Sequence, residues 1–200
     1  MLKNVIGLMS GTSMDGIDAS YLKTNGIDFV ETGLSLSFPY SDSFRNELAE
    51  LISKGLYSKT VEHQITISHA DAVKHLIQKN GDSKDSVDLI GIHGHTVYHK
   101  PNEQKILQIG DGAMLANLTG IDVVSNYRSN DINNGGQGAP FAPLYHQVLA
   151  TKLIKPVGIL NVGGVANITY IGPEDQLIAF DTGPGNALID DWVHRWGLGD

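Results

Sequence analysis

The sequence predicts an α/β chain, with one mixed-sheet lobe over residues 1–155 and the start of a second, similar lobe over 156–200. Three observations carry this. Three apolar runs of strand length come in succession, and further strands then alternate with helical patterns. A unit of apolar strand, Gly-centred turn and apolar strand occurs at residues 4–23 and again at 158–171, which suggests an internal duplication. After residue 156, three strands and one helix are too little to close a lobe, so the second is expected to be incomplete.

The first hairpin joins apolar runs 5–9 and 17–22 through Ser10-Gly11-Thr12-Ser13-Met14-Asp15-Gly16. Gly11 and Gly16 allow positive φ and close backbone approach. Successive N–H groups in such a turn form a concave anion site, and Thr12 and Ser13 add hydroxyl donors. The loop therefore reads as a phosphate site. It is not a P-loop, because no Lys follows the glycines and no helix starts there.

Asn25-Gly26 signals a turn, and residues 29–38 give a third strand that completes an antiparallel meander ended by Pro39. Residues 43–54 place Phe44, Leu48, Leu51 and Ile52 on one helical face, with Gly55 as the stop. A longer helix over 59–79 precedes Gly81, and His69 lies on its apolar side as a hydrogen-bonded structural residue. A buried strand over 87–92 runs into Gly91-Ile-His93-Gly94-His95-Thr96. Ligands gather at such carboxyl ends in open α/β sheets. Residues 105–109 form another strand, Asp111 caps a helix over 112–119, and 121–124 is one more strand. Meander, helix, strand, helix, strand is the order of a ribonuclease H-like sheet, with the hairpin around Lys100-Pro101-Asn102 as an insertion.

Residues 125–140 are expected to lack secondary structure, and Arg128 with several amides suits a polyhydroxylated ligand or a mobile surface loop equally. A helix follows from Phe141, with Pro143 tolerated in its first turn. Lys155-Pro156 marks the expected lobe boundary. The second hairpin and a strand over 177–180 lead to Asp181-Thr-Gly-Pro-Gly-Asn186. The final helix carries Leu188, Ile189, Trp192, Val193 and Trp196 as a face to bury. An incomplete lobe would leave the two tryptophans exposed.

Composition bounds the partners. Apolar residues make up 41%, enough for a core. A formal charge of −8 argues against nucleic acid or an anionic membrane, though backbone amides and a metal can still hold phosphate. No cysteine is present, which excludes disulfides, thiolate nucleophiles and Cys-bound zinc. No apolar run reaches membrane-spanning or signal-peptide length, so a cytoplasmic protein is expected. Asp181, expected at a strand's carboxyl end, suits a general base, with a helix-entry cap or turn-forming Asp as its plainer reading.

Gly11-Thr-Ser-Met-Asp-Gly-Ile-Asp18, His93-Gly-His-Thr96, Gln108-Ile-Gly-Asp-Gly112, Gly135-Gly-Gln-Gly-Ala-Pro140, Asn161-Val-Gly-Gly-Val-Ala-Asn167 and Phe180-Asp-Thr-Gly-Pro-Gly-Asn186 occur in this order. Together they resemble the anhydro-N-acetylmuramic acid kinases of peptidoglycan recycling. The resemblance implies the two-lobed fold shared by sugar kinases, Hsp70 and actin. It implies ATP and Mg2+ as cofactors, an amino sugar as the small-molecule partner, and a homodimer among the expected assemblies. It further implies that water opens the 1,6-anhydro ring while O6 is phosphorylated, giving N-acetylmuramic acid 6-phosphate and ADP. By the same resemblance, Gly11, Thr12, Ser13, Met14, Asp15, Gly16, Ile17 and Asp18 form the ATP-phosphate loop, and Asp181 is the base. Thr96, Gln108 and Arg128 are the implied sugar contacts, and Asp15 or Asp18 would hold the Mg2+ shell through water.

Other readings are a non-catalytic sugar- or nucleotide-binding fragment, and a zinc hydrolase using His93, His95, His99 and Asp181. The latter rests on His-x-His placing both rings on one face of an extended segment. A dinucleotide enzyme fits least, because neither Gly-rich turn leads from a strand into a helix with the required spacing.

Overall fold

The computed structural model describes residues 1–197. It divides into two compact units, Met1–Ala139 and Pro140–Asp200. In the first unit, β1 (Lys3–Ser10), β2 (Gly16–Thr24) and β3 (Val30–Pro39) form the antiparallel meander. Helices α1 (Asp42–Lys54) and α2 (Lys59–Asn80) follow, then β4 (Leu89–Lys100), β5 (Lys105–Ile109), α3 (Gly112–Thr119) and β6 (Val123–Val124). The start of β4 runs parallel to both β1 and β6, and its far half pairs antiparallel with β5. The resulting order β3-β2-β1-β4-β6 is ribonuclease H-like, with the β4–β5 hairpin as the insertion.

Local chemistry sets the helix ends. The Ser41 and Ser58 hydroxyls and the Asp111 carboxylate accept the N–H of Phe44, Val61 and Met114. Gly55 and Gly81 close α1 and α2 in the left-handed conformation. The periodic faces meet in one core: Phe44 and Leu48 of α1, then Val61, Ile65, Val73 and Leu76 of α2. These pack on Ile6, Leu8, Ile17, Ile90 and Ile92 of the sheet. His69 is fully buried there, and its Nδ1 donates to the Ile65 carbonyl at 2.7 Å.

The second unit holds α5 (Ala142–Leu149), β7 (Val157–Val162), β8 (Val165–Ile171), β9 (Leu177–Pro184) and α6 (Ala187–Trp196). Its three strands are antiparallel in the order β7-β8-β9.

Four expectations change. The boundary expected at Lys155-Pro156 falls inside the second unit, because α5 packs on β8 and β9 and His146 Nδ1 bonds Thr169 Oγ1 at 2.9 Å. The strand expected to stop at 92 runs on to Lys100, because β5 supplies a hairpin partner. The stretch 125–140 is not structureless, since α4 (Tyr127–Asn133) forms within it. Asp181 lies within β9 rather than after it. The face of α6 expected to seek burial is exposed, with Trp192 and Trp196 each 60% accessible.

Candidate functional site

The β1–β2 turn is shaped by residues other than its glycines' free φ. Met14 takes the left-handed conformation (φ 56°), and its N–H donates to the Gly11 carbonyl at 3.0 Å. Gly11 and Gly16 are not among the positive-φ residues. Gly16 is required by close approach: a Cβ there would lie 2.2 Å from the Phe38 carbonyl oxygen of β3. A Cβ on Gly11 would meet only Ser13 Oγ, at 3.6 Å. Thr12, Ser13, Asp15 and Asp18 are exposed. Ser13 Oγ donates to Asp15 Oδ1 at 2.7 Å, and Ser37 Oγ donates to Asp18 Oδ1. Ile17 is core and Met14 packs against it, so these two side chains anchor the loop while their neighbours face outward.

Behind the loop lies a buried polar brace that the sequence did not reveal. Ser10 Oγ, at the end of β1, is 2.8 Å from Tyr40 Oη and 2.9 Å from His95 Nδ1. The Tyr40 N–H donates to the Asp15 carbonyl at 2.9 Å, so one residue grips both sides of the turn. Burial pushes the Tyr40 phenol up to about 12 and the His95 imidazole down to about 4. Both stay neutral at physiological pH.

The three residues implied as sugar contacts come together around His93. Arg128 Nε donates to His93 Nε2 at 2.8 Å. Gln108 Nε2 lies 3.0 Å from the His93 carbonyl, 3.1 Å from His93 Nε2 and 3.3 Å from Thr96 Oγ1. Arg128 also donates through Nη1 to the Gly138 carbonyl at 2.6 Å, while Asp131 Oδ2 accepts the Gly138 N–H at 2.8 Å. A cavity of about 400 Å³ opens beside this cluster, lined by Glu62, His93, Gln108, Asp111, Ser125 and Asn126 among others. Glu62 was not expected in the site, and His93 was expected only at a ligand-gathering strand end or as a zinc ligand, not among the sugar contacts. The signal for His93 was its place in His93-Gly-His-Thr96.

Gly94 explains why His93 and His95 take separate partners. Its φ of 68° accompanies a register shift between β1 and β4 after Leu8. Such a bulge breaks the alternation that would put both rings on one face. His93 lines the cavity and His95 turns into the core. His99 Nε2 donates to the Gln137 carbonyl at 2.7 Å. Among the described residues, no three His, Cys, Asp or Glu side chains gather as a metal site.

In the second unit, Asp181 is exposed on β9. The register sets Asn161, Asn167 and Asp181 opposite one another across β7, β8 and β9. Just beyond this row, Thr182 is the extra residue of a bulge, and its hydroxyl donates to the Ala166 carbonyl at 3.1 Å. The Gly163-Gly164 turn is tied to the entry of α6. Gly185 N–H donates to the Gly164 carbonyl at 2.9 Å, and Asn186 N–H to the Gly163 carbonyl at 2.8 Å. The Asn186 carbonyl accepts the first helical bond of α6, so Asn186, and not Asp181, begins that helix.

Comparison with known proteins adds the following. The family profile of anhydro-N-acetylmuramic acid kinase matches residues 3–198. A protein of that name from Brucella canis is 47% identical over 99% of this chain and 57% of its own length. Others from Paramagnetospirillum magneticum and Rhizobium etli are 46% and 43% identical, over 94% and 96% of this chain. The chain therefore spans little more than half the length of these curated relatives. A solved Ppx/GppA family member from Aquifex aeolicus is similar at 10% identity with a TM-score of 0.48, over 96% of this chain and 54% of that one.

Proposed function

Since the chain belongs to the anhydro-N-acetylmuramic acid kinase family, we propose that it supplies the nucleotide loop, the base and sugar contacts for one ATP-dependent reaction. In it, 1,6-anhydro-N-acetylmuramic acid is opened by water and phosphorylated on O6, as a cytoplasmic step in recycling cell-wall sugar. The observation that carries this reading is the gathering of Thr96, Gln108 and Arg128 around one cavity-lining histidine, from three separate parts of the sequence.

The chemistry assigned to this chain's own residues is as follows. Asp181 accepts a proton from water as the water oxygen bonds to the anomeric carbon. The bond from that carbon to O6 breaks, and O6 takes the γ-phosphoryl group, with cleavage at the β–γ bridge releasing ADP. Backbone N–H groups of the Gly11–Gly16 turn and the Thr12 and Ser13 hydroxyls hold phosphate oxygens. The exposed Asp15 and Asp18 carboxylates fit a hydrated Mg2+, which keeps several waters and needs only one or two protein oxygens. When bound, that ion would offset phosphate charge. Thr96, Gln108 and Arg128 orient the sugar. The two compact units are proposed to be the two lobes, and a homodimer is the proposed assembly.

The test is ADP release with and without 1,6-anhydro-N-acetylmuramic acid, run in H₂¹⁸O with mass spectrometry of the product. The expected product carries one phosphate and one ¹⁸O at the anomeric hydroxyl. Sugar-independent ATP hydrolysis, or phosphorylation without ring opening, would refute the reading.

A further inference from the structure

Two donors converge on His93 Nε2, and one of them is a guanidinium. His93 Nδ1 lies 2.9 Å from the Gly94 carbonyl, which can only accept. Nδ1 therefore carries the hydrogen, and Nε2 presents its single in-plane lone pair. Arg128 Nε, at 2.8 Å, takes that lone pair. Gln108 is held instead by the His93 carbonyl at 3.0 Å. The Gly138 carbonyl, 2.6 Å from Nη1, fixes a second edge of the guanidinium. These two acceptors set the plane of the group. The Tyr127 ring, centred 6.2 Å from the His93 ring, closes one flank of the imidazole.

We infer that His93 is a positioning residue, which acts through Arg128 and in its neutral Nδ1–H form presents the guanidinium to the sugar. The inference rests on the reading above that Arg128 contacts the sugar. Arginine suits oriented recognition because its five donors sit in a rigid fork, so holding Nε and Nη1 fixes the orientation of the whole group. Gly94 is part of the device, since its carbonyl selects the tautomer and its left-handed backbone turns His93 toward the cavity. Desolvation acts in the same sense and holds the His93 imidazole below its usual range.

The experiment compares His93→Gln, which keeps an acceptor, with His93→Leu, which removes it. In ¹⁵N-edited NMR spectra the Arg128 Nε–H resonance should be protected from solvent exchange in wild type and His93→Gln and lost in His93→Leu. Affinity for 1,6-anhydro-N-acetylmuramic acid, measured by calorimetry, should fall roughly tenfold or more in His93→Leu, as expected when a charged donor loses its partner. It should return to near wild type in His93→Gln, with nucleotide affinity unchanged in both. A protected Arg128 resonance in His93→Leu would overturn the inference, as would a glutamine variant as defective as the leucine one. Should the leucine variant fail to fold, the wild-type ring nitrogens decide: a protonated Nε2 with a bare Nδ1 would overturn it. A wild-type protein that does not bind the sugar would refute the kinase reading, while the NMR comparison would still settle whether His93 holds Arg128.

Discussion

At the scale of single residues, Asp181 and Gly11 give the sharpest tests of the proposed chemistry. Asp181 makes no helix cap, so Asp181→Asn should fold with a melting temperature near wild type. An amide cannot take a proton from water at neutral pH. Turnover should then fall by roughly 10²–10⁴, with ring opening and phosphate transfer lost together and nucleotide affinity kept. Melting temperature and single-turnover rate on the same preparation check this, and near-normal turnover in a folded variant would remove Asp181 from the mechanism. A Cβ at residue 11 meets only a serine hydroxyl, so Gly11→Val should cost little stability in this exposed turn. Calorimetry should show nucleotide affinity sharply reduced, because the branched side chain stands where phosphates would approach the backbone. The hairpin was legible in the sequence, whereas Asp181 was expected after a strand and lies within β9. Of the glycines in the turn, however, one serves strand packing, a distinction that depends on where β3 passes.

At the scale of elements, the informative features are two irregularities in strands. Gly94 bends β4 so that successive histidines diverge, and Thr182 interrupts β9 just after Asp181. A side chain at Gly94 would place Cβ 2.4 Å from the Ile109 carbonyl oxygen while holding a left-handed φ. Gly94→Ala should therefore destabilise the first unit by about 1–3 kcal/mol from the clash alone. It should also scatter the His93 cluster, visible as lost protection of the Arg128 side chain. An alanine variant of wild-type stability would show that β4 can relax there. Helix faces and caps were readable because they depend on residues three or four positions apart. The bulges were not, because pattern arguments assume an unbroken period of two. For the same reason, α4 was missed within a polar run whose helix is held by Arg128, Asp131 and their bonds to Gly138.

For the whole molecule, the buried histidines set the acid limit. His69 and His95 are fully enclosed, and burial holds both near pH 4 against an ordinary 6.5. Among the described residues, Nε2 of each is buried without a hydrogen-bond partner. Below about pH 6.5 the unfolded chain takes up protons that the native state refuses. Stability is therefore full above that pH and is lost as the pH falls toward 4. Between pH 7 and pH 5 the two groups together should remove about 2–4 kcal/mol, measured as a shift in urea unfolding. Equal stability at the two pH values would mean that these imidazoles take up protons as readily in the native state as in the unfolded chain. No helix among the described residues is long and apolar enough to cross a membrane.

The sequence by itself determined the kind of fold, the meander and its glycine-rich turn, most helix limits and the family. Each of these is written in near neighbours: apolar period, capping residues, glycine-rich turns and contiguous motifs. Tertiary structure alone decided which side chains share a site. Thr96 and Gln108 sit opposite each other because β5 folds back on β4, and Arg128 reaches His93 because α4 forms thirty-five residues further along. The brace of Ser10, Tyr40 and His95 likewise joins the end of β1, the residue after β3 and the middle of β4, which are distant in sequence. A hydrogen bond between distant residues leaves no period in a sequence, because its geometry is set by the backbone path between them.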